Sequence, residues 1–500
     1  AARKACQLTR AGDTIGILRF PPFWTPGVYR ISPYLANTLS EAAMTEPLRC
    51  FTAYDVRGRV PAELNETIAA RIALAVAEHC ALRRVVVGRD MRLSSPPLAG
   101  AIIAALLGRG VDVVDIGLCG TEEVYHAVFS GAGAGVDGGI MITASHNPAD
   151  YNGMKIVRAD ARPLSGDTGL ATVAALAADE DWCRRALAET APTSGTCTQV
   201  RDKGAYIDHL LALVDPRSLR PLKLVVNSGN GCAGPVVDLL AAHLPCEFIR
   251  LQHEPDGNFP NGVPNPLLPE RRQATADAVR QHHADLGIAW DGDFDRCFLY
   301  DETGRFIEGY YIVGLLAEAL LRLHPGATIL HDPRLVWNTR EIVRAAGGQA
   351  VMTRTGHAFI KERMRELDAL YGGEMSAHHY FRDFGYCDSG MLPWLLVCRL
   401  LSDTGRPLSA LVEERMAAYP VSGEINSRVR DADAVLAAIE HRYAGGVIDR
   451  TDGLSVEFPE FRFNLRQSNT EPVLRLNVET RGDEPLLHRR TAELLELIRA

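Results

Sequence analysis

Long apolar runs are missing from this chain of 500 residues: residues 309–317 end at Glu318, and residues 101–107 are soon followed by Arg109. Both fall far short of the ~18 residues of a membrane helix, so no membrane is expected as a partner. Positive charge is also scarce, with 53 lysines and arginines against 62 aspartates and glutamates and a net charge of −9. A repulsive field of that sign argues against nucleic acid or anionic lipid as the main partner, and it requires any phosphate site to be locally basic. The eleven cysteines are odd in number and form no C-x-x-C pair, a pattern of reduced thiols in a cytoplasmic protein rather than of a disulfide framework. The first 43 residues show no apolar periodicity and no h-region with a small-residue cleavage site, and carry prolines at 21, 22, 26 and 33. They are expected to be a disordered or non-native extension, with Met44 as the natural start.

What is present is ordinary for a globular chain. A chain with 47% hydrophobic and 23% charged residues can build roughly three or four domains of ~150 residues. From Tyr54 onward strand-like and helix-like segments alternate, the pattern of α/β layers around parallel or mixed sheets. One unit recurs three times: an apolar strand ending in a polar turn at residues 85–90, 224–229 and 328–333, then a helical stretch, then a second strand at 111–116, 246–251 and 349–353. The last eighty residues break this rhythm, with strands at 422–429 and 474–478 around a helix at 432–443, and a final helix at 486–499. The expected fold is therefore three related α/β domains with mixed sheets (44–198, 199–298 and 299–418) plus a smaller C-terminal α+β domain (419–500).

The first chemical stretch is Thr143-Ala144-Ser145-His146-Asn147-Pro148, followed by Asp150, Asn152, Gly153 and Lys155. Residues 138–142 read as a buried strand, which puts Ser145 on the loop at its end, open to attack. Pro148 biases Asn147 away from helical geometry, and Asn152-Gly153 is expected to give a second turn. An isolated loop serine is more often a helix cap. This hexapeptide is too particular for that, and the glycines of a G-x-S-x-G nucleophile elbow are absent around Ser145.

Three more stretches carry chemistry. Asp291, Asp293 and Asp295 alternate after the apolar residues 286–289, a spacing that converges carboxylates on one hard cation. A calcium loop is the rival, and Glu302 even falls at its twelfth position, but Arg296 stands where the sixth-position glycine is required and a strand precedes the loop. Glu374 and Ser376, in residues 373–379, offer a carboxylate and a hydroxyl suited to adjacent hydroxyls of a hexose. Residues 466–472 combine an arginine, two hydroxyls, an amide and turn N–H groups, a cage for a dianion; alone they would read as a polar surface turn.

Taken in this order, the four stretches resemble the α-D-phosphohexomutases, in their phosphomannomutase/phosphoglucomutase branch. The resemblance runs from Met44 to the end and implies a central cleft between the domains, in which Ser145 carries the exchanged phosphoryl group. It implies one Mg²⁺ on Asp291, Asp293, Asp295 and an oxygen of phosphorylated Ser145, and a hexose phosphate substrate. Glu374 and Ser376 would hold its 3- and 4-hydroxyls, and Arg466, Ser468, Asn469 and Thr470, with Arg475 beside them, its non-reacting phosphate. Tyr54 and Arg334 would add substrate contacts, and Arg57, His146, Lys155, Arg296, His357 and His378 would surround the reacting centre. Lys155 and the histidines His357 and His378 are candidates for general acid and base; a lysine base needs a lowered pKa, for which Arg57 and Arg296 are the expected cause. The implied activity is interconversion of mannose 6-phosphate and mannose 1-phosphate, with hexose 1,6-bisphosphate as intermediate and activator, in a monomer or weak dimer that feeds GDP-mannose and polysaccharide synthesis. Glucose or glucosamine phosphates use the same residues, although Met375 stands where the glucosamine enzymes carry glutamine, and Ala377 replaces the family's usual glycine. A catalytically silent sugar-phosphate binder is disfavoured by the intact Ser145, aspartates and Lys155.

Overall fold

Residues 48–131, 135–188, 194–467 and 473–500 are described by a computed structural model. The expectations for residues 1–43 and for Ser468, Asn469 and Thr470 lie outside the described residues.

Three sheets are variations on one pattern. The first contains β1 (Val56–Arg59), β2 (Arg84–Arg89), β3 (Asp112–Leu118), β4 (Gly138–Ile142), β5 (Tyr151–Arg158) and β6 (Cys197–Gln199), in the spatial order β1-β5-β4-β2-β3-β6. The second contains β7 (Lys223–Asn227), β8 (Glu247–Leu251), β9 (Leu286–Trp290), β10 (Cys297–Tyr300) and β11 (Phe306–Ile307), ordered β11-β10-β9-β7-β8. In the third, β12 (Thr328–His331), β13 (Gln349–Met352), β14 (Tyr371–Gly373), β15 (His379–Phe381) and β16 (Cys387–Asp388) are ordered β13-β12-β14-β15-β16. Each contains a parallel pair of consecutive strands, β2/β3, β7/β8 and β12/β13. The crossovers contain the helices Ser95–Gly108, Ala233–Ala241 and Trp337–Ala345, as parallel neighbours require. A second parallel partner follows, β4, β9 and β14, and then turns back antiparallel into β5, β10 and β15. β4 and β9 are buried at every position, which is why their sequences read as unbroken apolar runs rather than alternating ones.

The expected second turn at Asn152-Gly153 does not form. Both residues lie inside β5, paired with Gly58 and Arg57 of β1. Gly153 serves close approach instead of turning: a Cβ there would meet the Val56 carbonyl oxygen at 2.0 Å.

The fourth sheet is antiparallel throughout. Its strands β17 (Ile425–Arg428), β18 (Val447–Asp449), β19 (Leu454–Glu457), β20 (Phe461–Gln467) and β21 (Val473–Thr480) are ordered β17-β21-β20-β19-β18. β17 starts three residues later than the pattern suggests, because Gly423 (φ 68°) turns the chain. The final helix, Glu484–Arg499, starts two residues early; the Asp483 side chain accepts from Leu486 N at 2.7 Å, and Pro485 sits in a first turn that needs no N–H partner.

One apolar core runs through all three α/β sheets, from Val86 past Trp290 and Phe294 to Trp394. The C-terminal sheet has a core of its own, built on Phe463, Leu476 and Leu494. Between the third and fourth sheets the contacts are polar: buried Glu479 accepts from Tyr310 Oη at 2.5 Å and Val336 N at 2.8 Å, and Arg462 Nη1 donates to the Arg334 carbonyl at 2.8 Å. The ten described cysteines are unpaired. Among the described residues no helix is long and apolar enough to cross a membrane.

Candidate active site

The repeated sheet explains where the chemistry sits. The loops β4–β5, β9–β10 and β14–β15 occupy the same place in their three sheets, and they carry Ser145, the three aspartates, and Glu374 with Ser376. Each contains one non-glycine residue in the left-handed region: Ser145 at φ 48°, Phe294 at 45° and Ala377 at 70°. Such backbone costs on the order of 1 kcal/mol and persists where surroundings dictate it. For Ala377 this settles the departure from glycine: the turn closes with Ala377 N donating to Glu374 O at 3.0 Å and Glu374 N to His378 O at 2.9 Å.

Ser145 is nearly buried, and its Oγ donates to Asp291 Oδ2 at 2.7 Å while lying 3.0 Å from His146 Nδ1. Burial, then Arg296 and Arg57, push the His146 imidazole well below its ordinary pKa. Arg57 reaches the loop from β1, donating to Ala144 O at 3.1 Å and Asn147 Oδ1 at 2.6 Å, and its Nη2 pairs with Asp55 at 2.5 Å. Lys155 projects from β5 to Asp293 Oδ2 at 2.6 Å and to Asp295. Its pKa moves opposite to the expectation: burial lowers it, but the two aspartates outweigh burial and Arg57, so the ammonium is stabilised.

Asp291, Asp293 and Asp295 are 1%, 0% and 3% exposed, and their nearest carboxylate oxygens lie within 4.8 Å of one another. Burial and the charges of Asp295 and Asp293 raise the Asp291 carboxyl to about 7, while Lys155 and His378 outweigh burial and hold the Asp295 carboxyl well below the usual range. Asp293 Oδ1 is buried without a hydrogen-bond partner, and Asp295 Oδ1 has only the His378 ring at 3.4 Å; a cation removes the cost of the unpaired oxygen. Carboxylate oxygens alone suit a hard divalent ion. The donor set fits the group the resemblance implies.

Across the cleft, Glu374 Oε2 accepts from Tyr380 Oη at 2.6 Å and lies 3.1 Å from His378 Nδ1, while Oε1 accepts from Gly356 N at 3.2 Å. Burial opposes its charge, but His378, Arg334 and Tyr380 hold the carboxyl well below the usual range. His378 Nε2 lies 3.2 Å from Arg296 Nε and 3.4 Å from Asp295 Oδ1. Burial and Arg296 lower the His378 pKa, and Asp295 and Glu374 outweigh them, raising it to about 9. His357 is driven to about 3 by burial and then Lys361. Arg334 is almost fully enclosed, with Nη2 donating to Asp332 at 2.7 Å and to Ser376 Oγ at 3.2 Å and Nη1 lying 3.5 Å from Glu424. Arg466 is the penultimate residue of β20, 3.7 Å from Asp452. A cavity of about 610 Å³ is walled by all four sheets, through Tyr54, His146, Arg296, Glu374, His378 and Arg466 among others. Arg334, His357 and Ser376 open onto the same space; Ser145, Lys155 and Arg57 do not line it, and Ser145 is linked to it through His146.

Several contributors escaped sequence reasoning. Thr121 Oγ1 donates to Asp293 Oδ2 at 2.5 Å, and Gly120 leaves room for the Phe294 ring, which a Cβ would meet at 2.1 Å. The only signal for either is the polar turn after β3. Glu424 bridges Arg334 and Arg475, the latter at 3.4 Å.

Three copies of a sheet that set a serine against an acidic triad, beneath a cavity fringed with arginines, define an enzyme of the sugar-phosphate class. The chain belongs to the phosphoglucomutase/phosphomannomutase family. The family's alpha/beta/alpha domains I, II and III match residues 48–182, 204–304 and 308–419, and its C-terminal domain matches 424–497. The chain is 59% identical over 458 residues to a phosphomannomutase of Salmonella montevideo, covering 90% of this chain and 99% of that protein. It is 59% identical over 455 residues to the phosphohexose mutases of Xanthomonas campestris pv. campestris, at the same coverage. A solved phosphoglucomutase/phosphomannomutase family protein from Burkholderia thailandensis superposes with a TM-score of 0.78 at 33% identity, covering 90% of this chain and 96% of that one.

Proposed function

We propose that this enzyme interconverts mannose 6-phosphate and mannose 1-phosphate through a phosphorylated Ser145, with glucose phosphates as the second substrates to test. The observation that carries this reading is the 2.7 Å contact of Ser145 Oγ with Asp291, beside His146 and Arg296, which line the four-walled cavity. One Mg²⁺ is the cation assigned to Asp291, Asp293 and Asp295, and when bound it withdraws charge from the phosphoryl group.

The free hydroxyl of the sugar phosphate attacks the phosphorus on Ser145. The new P–O bond forms as the bond to Oγ breaks; the sugar hydroxyl gives up its proton and Oγ gains one. In this reading Lys155, His357 and His378 carry these protons, and Lys155, whose ammonium its aspartates stabilise, serves as a donor. Arg57 and Arg296 hold positive charge beside the loop, which steadies the anionic phosphoryl group. The product, a hexose 1,6-bisphosphate, turns over in the cavity, returns its other phosphoryl group to Ser145 and leaves as the isomeric monophosphate. Added in trace, the bisphosphate restores chains that have lost their phosphoryl group.

Turning over requires a site that accepts both orientations about equally. Glu374 and Ser376 grip hydroxyls at the middle of the ring, and Arg466 with Arg334 cages whichever phosphate is not reacting. Ser468, Asn469 and Thr470 complete that cage in this reading. Water must be kept from the bisphosphate, so the C-terminal domain closes over it; its separate core and polar seam with the third sheet support such a motion. The test is turnover of mannose 1-phosphate beside glucose 1-phosphate, with Mg²⁺ and trace bisphosphate, for wild type and Ser145→Ala. Mannose turnover lost in the variant is expected. No turnover by phosphorylated, metal-loaded wild type would overturn the reading.

A further inference from the structure

Behind the phosphoserine loop lies an arginine that none of the four motifs includes. Arg92 is 1% exposed and sits just past the end of β2. Its Nη1 donates to the carbonyls of Pro148 at 2.7 Å and Tyr151 at 2.9 Å, and its Nη2 to those of Ser145 at 2.9 Å and Asn147 at 2.6 Å. The remaining donor, Nε, faces Asp90 Oδ2 at 3.3 Å. Nε makes no hydrogen bond, but the four N–H groups of the two Nη atoms are all spent on the backbone carbonyls of residues 145–151. The Phe259 ring covers the guanidinium at 5.2 Å, and Arg92 forms an isolated parallel bridge with Gly257, so the clamp is seated on the second sheet's domain.

That geometry bears on the reaction because the clamped carbonyl belongs to Ser145. Ser145 is held at φ 48°, against its own preference, and only the surrounding contacts keep its Oγ on Asp291. On the other side of the same carbonyl is Gly292 of the acidic loop, where a Cβ would meet Ser145 O at 2.6 Å. The Ser145 backbone is thus fixed between Arg92 and the loop that carries the triad. A lysine offers three donors from a point and has no planar fork to span four carbonyls.

We infer that Arg92 is a positioning residue for phosphoryl transfer, holding residues 145–151 so that Ser145 faces the acidic triad. This rests on the phosphoserine reading above, and its test separates the two. Arg92→Lys and Arg92→Ala are made in the full chain and read in two ways. The first is kcat and KM for mannose 1-phosphate, per chain shown by intact mass to carry phosphoserine. The second is amide exchange of residues 143–152 against that of β2 and β4.

For Arg92→Lys, kcat should fall at least about tenfold while KM stays within about twofold, the split expected when a reacting group is misplaced and the sugar contacts are intact. Exchange should accelerate in residues 143–152 and remain slow in β2 and β4. Guanidinium ion should restore part of the turnover of Arg92→Ala and none of Ser145→Ala. If Arg92→Ala does not fold, Arg92→Lys decides alone. Unchanged kcat, or loosening spread evenly through the first sheet, would overturn the inference. Should wild type show no mutase turnover, the proposed function fails and the exchange arm still decides the clamp: loosening confined to the loop supports it, and unchanged exchange overturns it.

Discussion

The Ser145 hydroxyl donates to Asp291 Oδ2 at 2.7 Å, joining two residues 146 positions apart that are carried by hairpins of different sheets. Neither loop makes a site alone. Removing Ser145 as alanine should abolish mutase turnover, and Asp291→Asn should lower it by ~100-fold or more, because one carboxylate charge and the partner of the serine are lost together. A chelator should silence wild type and Mg²⁺ should restore it. Turnover that persists after chelation would place the chemistry elsewhere.

Thr121 donates to Asp293 Oδ2 at 2.5 Å beside the Lys155 ammonium. Groups that orient a metal's ligands are worth ~10–100-fold in metal affinity. In Thr121→Val the Mg²⁺ concentration giving half-maximal turnover should rise by about tenfold, with KM for the sugar phosphate little changed. An unaltered Mg²⁺ titration would show that Asp293 needs no such support.

Gly120 is small because the Phe294 ring occupies the space of its Cβ, at 2.1 Å, and Phe294 stands between Asp293 and Asp295. Its φ of −94° is ordinary, so the constraint is volume and not backbone freedom. Gly120→Ala should cost ~1–3 kcal/mol in unfolding free energy, as overpacking does, and should weaken Mg²⁺ dependence with it. Denaturant midpoints and the metal titration measure both, and a variant as stable as wild type would refute the packing argument.

His126 is 5% exposed, packed among Phe129, Tyr206, His209 and Phe384. Burial, and then His209, lower its pKa from 6.5 to about 4. Between those values the unfolded chain binds a proton that the folded chain refuses, so its contribution to stability is complete above 6.5 and lost as pH falls toward 4. His126→Phe, which keeps the ring and drops the titration, should lose less of its urea midpoint than wild type on going from about pH 7 to about pH 5. Equal losses would mean that other groups govern acid stability.

Much of the fold was legible. β4 and β9 show as unbroken apolar runs because they are covered on both faces, and the three strand–helix–strand units show because each crossover must supply a helix between parallel partners. β17 was read too long, since the left-handed Gly423 that delays it looks like any other glycine within an alternating stretch. Asn152-Gly153 looked like a turn and is strand, because the glycine is demanded by the neighbouring β1 backbone rather than by chain reversal. In the candidate site the chemistry-bearing residues fall in short motifs; His146, Arg296, Arg334, His357, Glu374, Ser376, His378 and Arg466 line the cavity, and the three aspartates, Ser145 and Lys155 do not. The direction of the Lys155 shift was not legible: arginines near it in sequence motifs suggested depression, but Asp293 and Asp295 are the charges it touches.

By itself, then, the amino-acid order determined the alternation of elements, the three reactive loops and the residue types in them, since these depend on local propensity and on spacing along one strand or turn. Only the tertiary structure decided which loops face each other, that Arg92 spends four donors on the Ser145 loop, and that Ala377 and Ser145 adopt left-handed backbone. Those outcomes depend on contacts between groups tens to hundreds of residues apart, whose distances, and hence energies, exist only once the separate sheets have packed into one core.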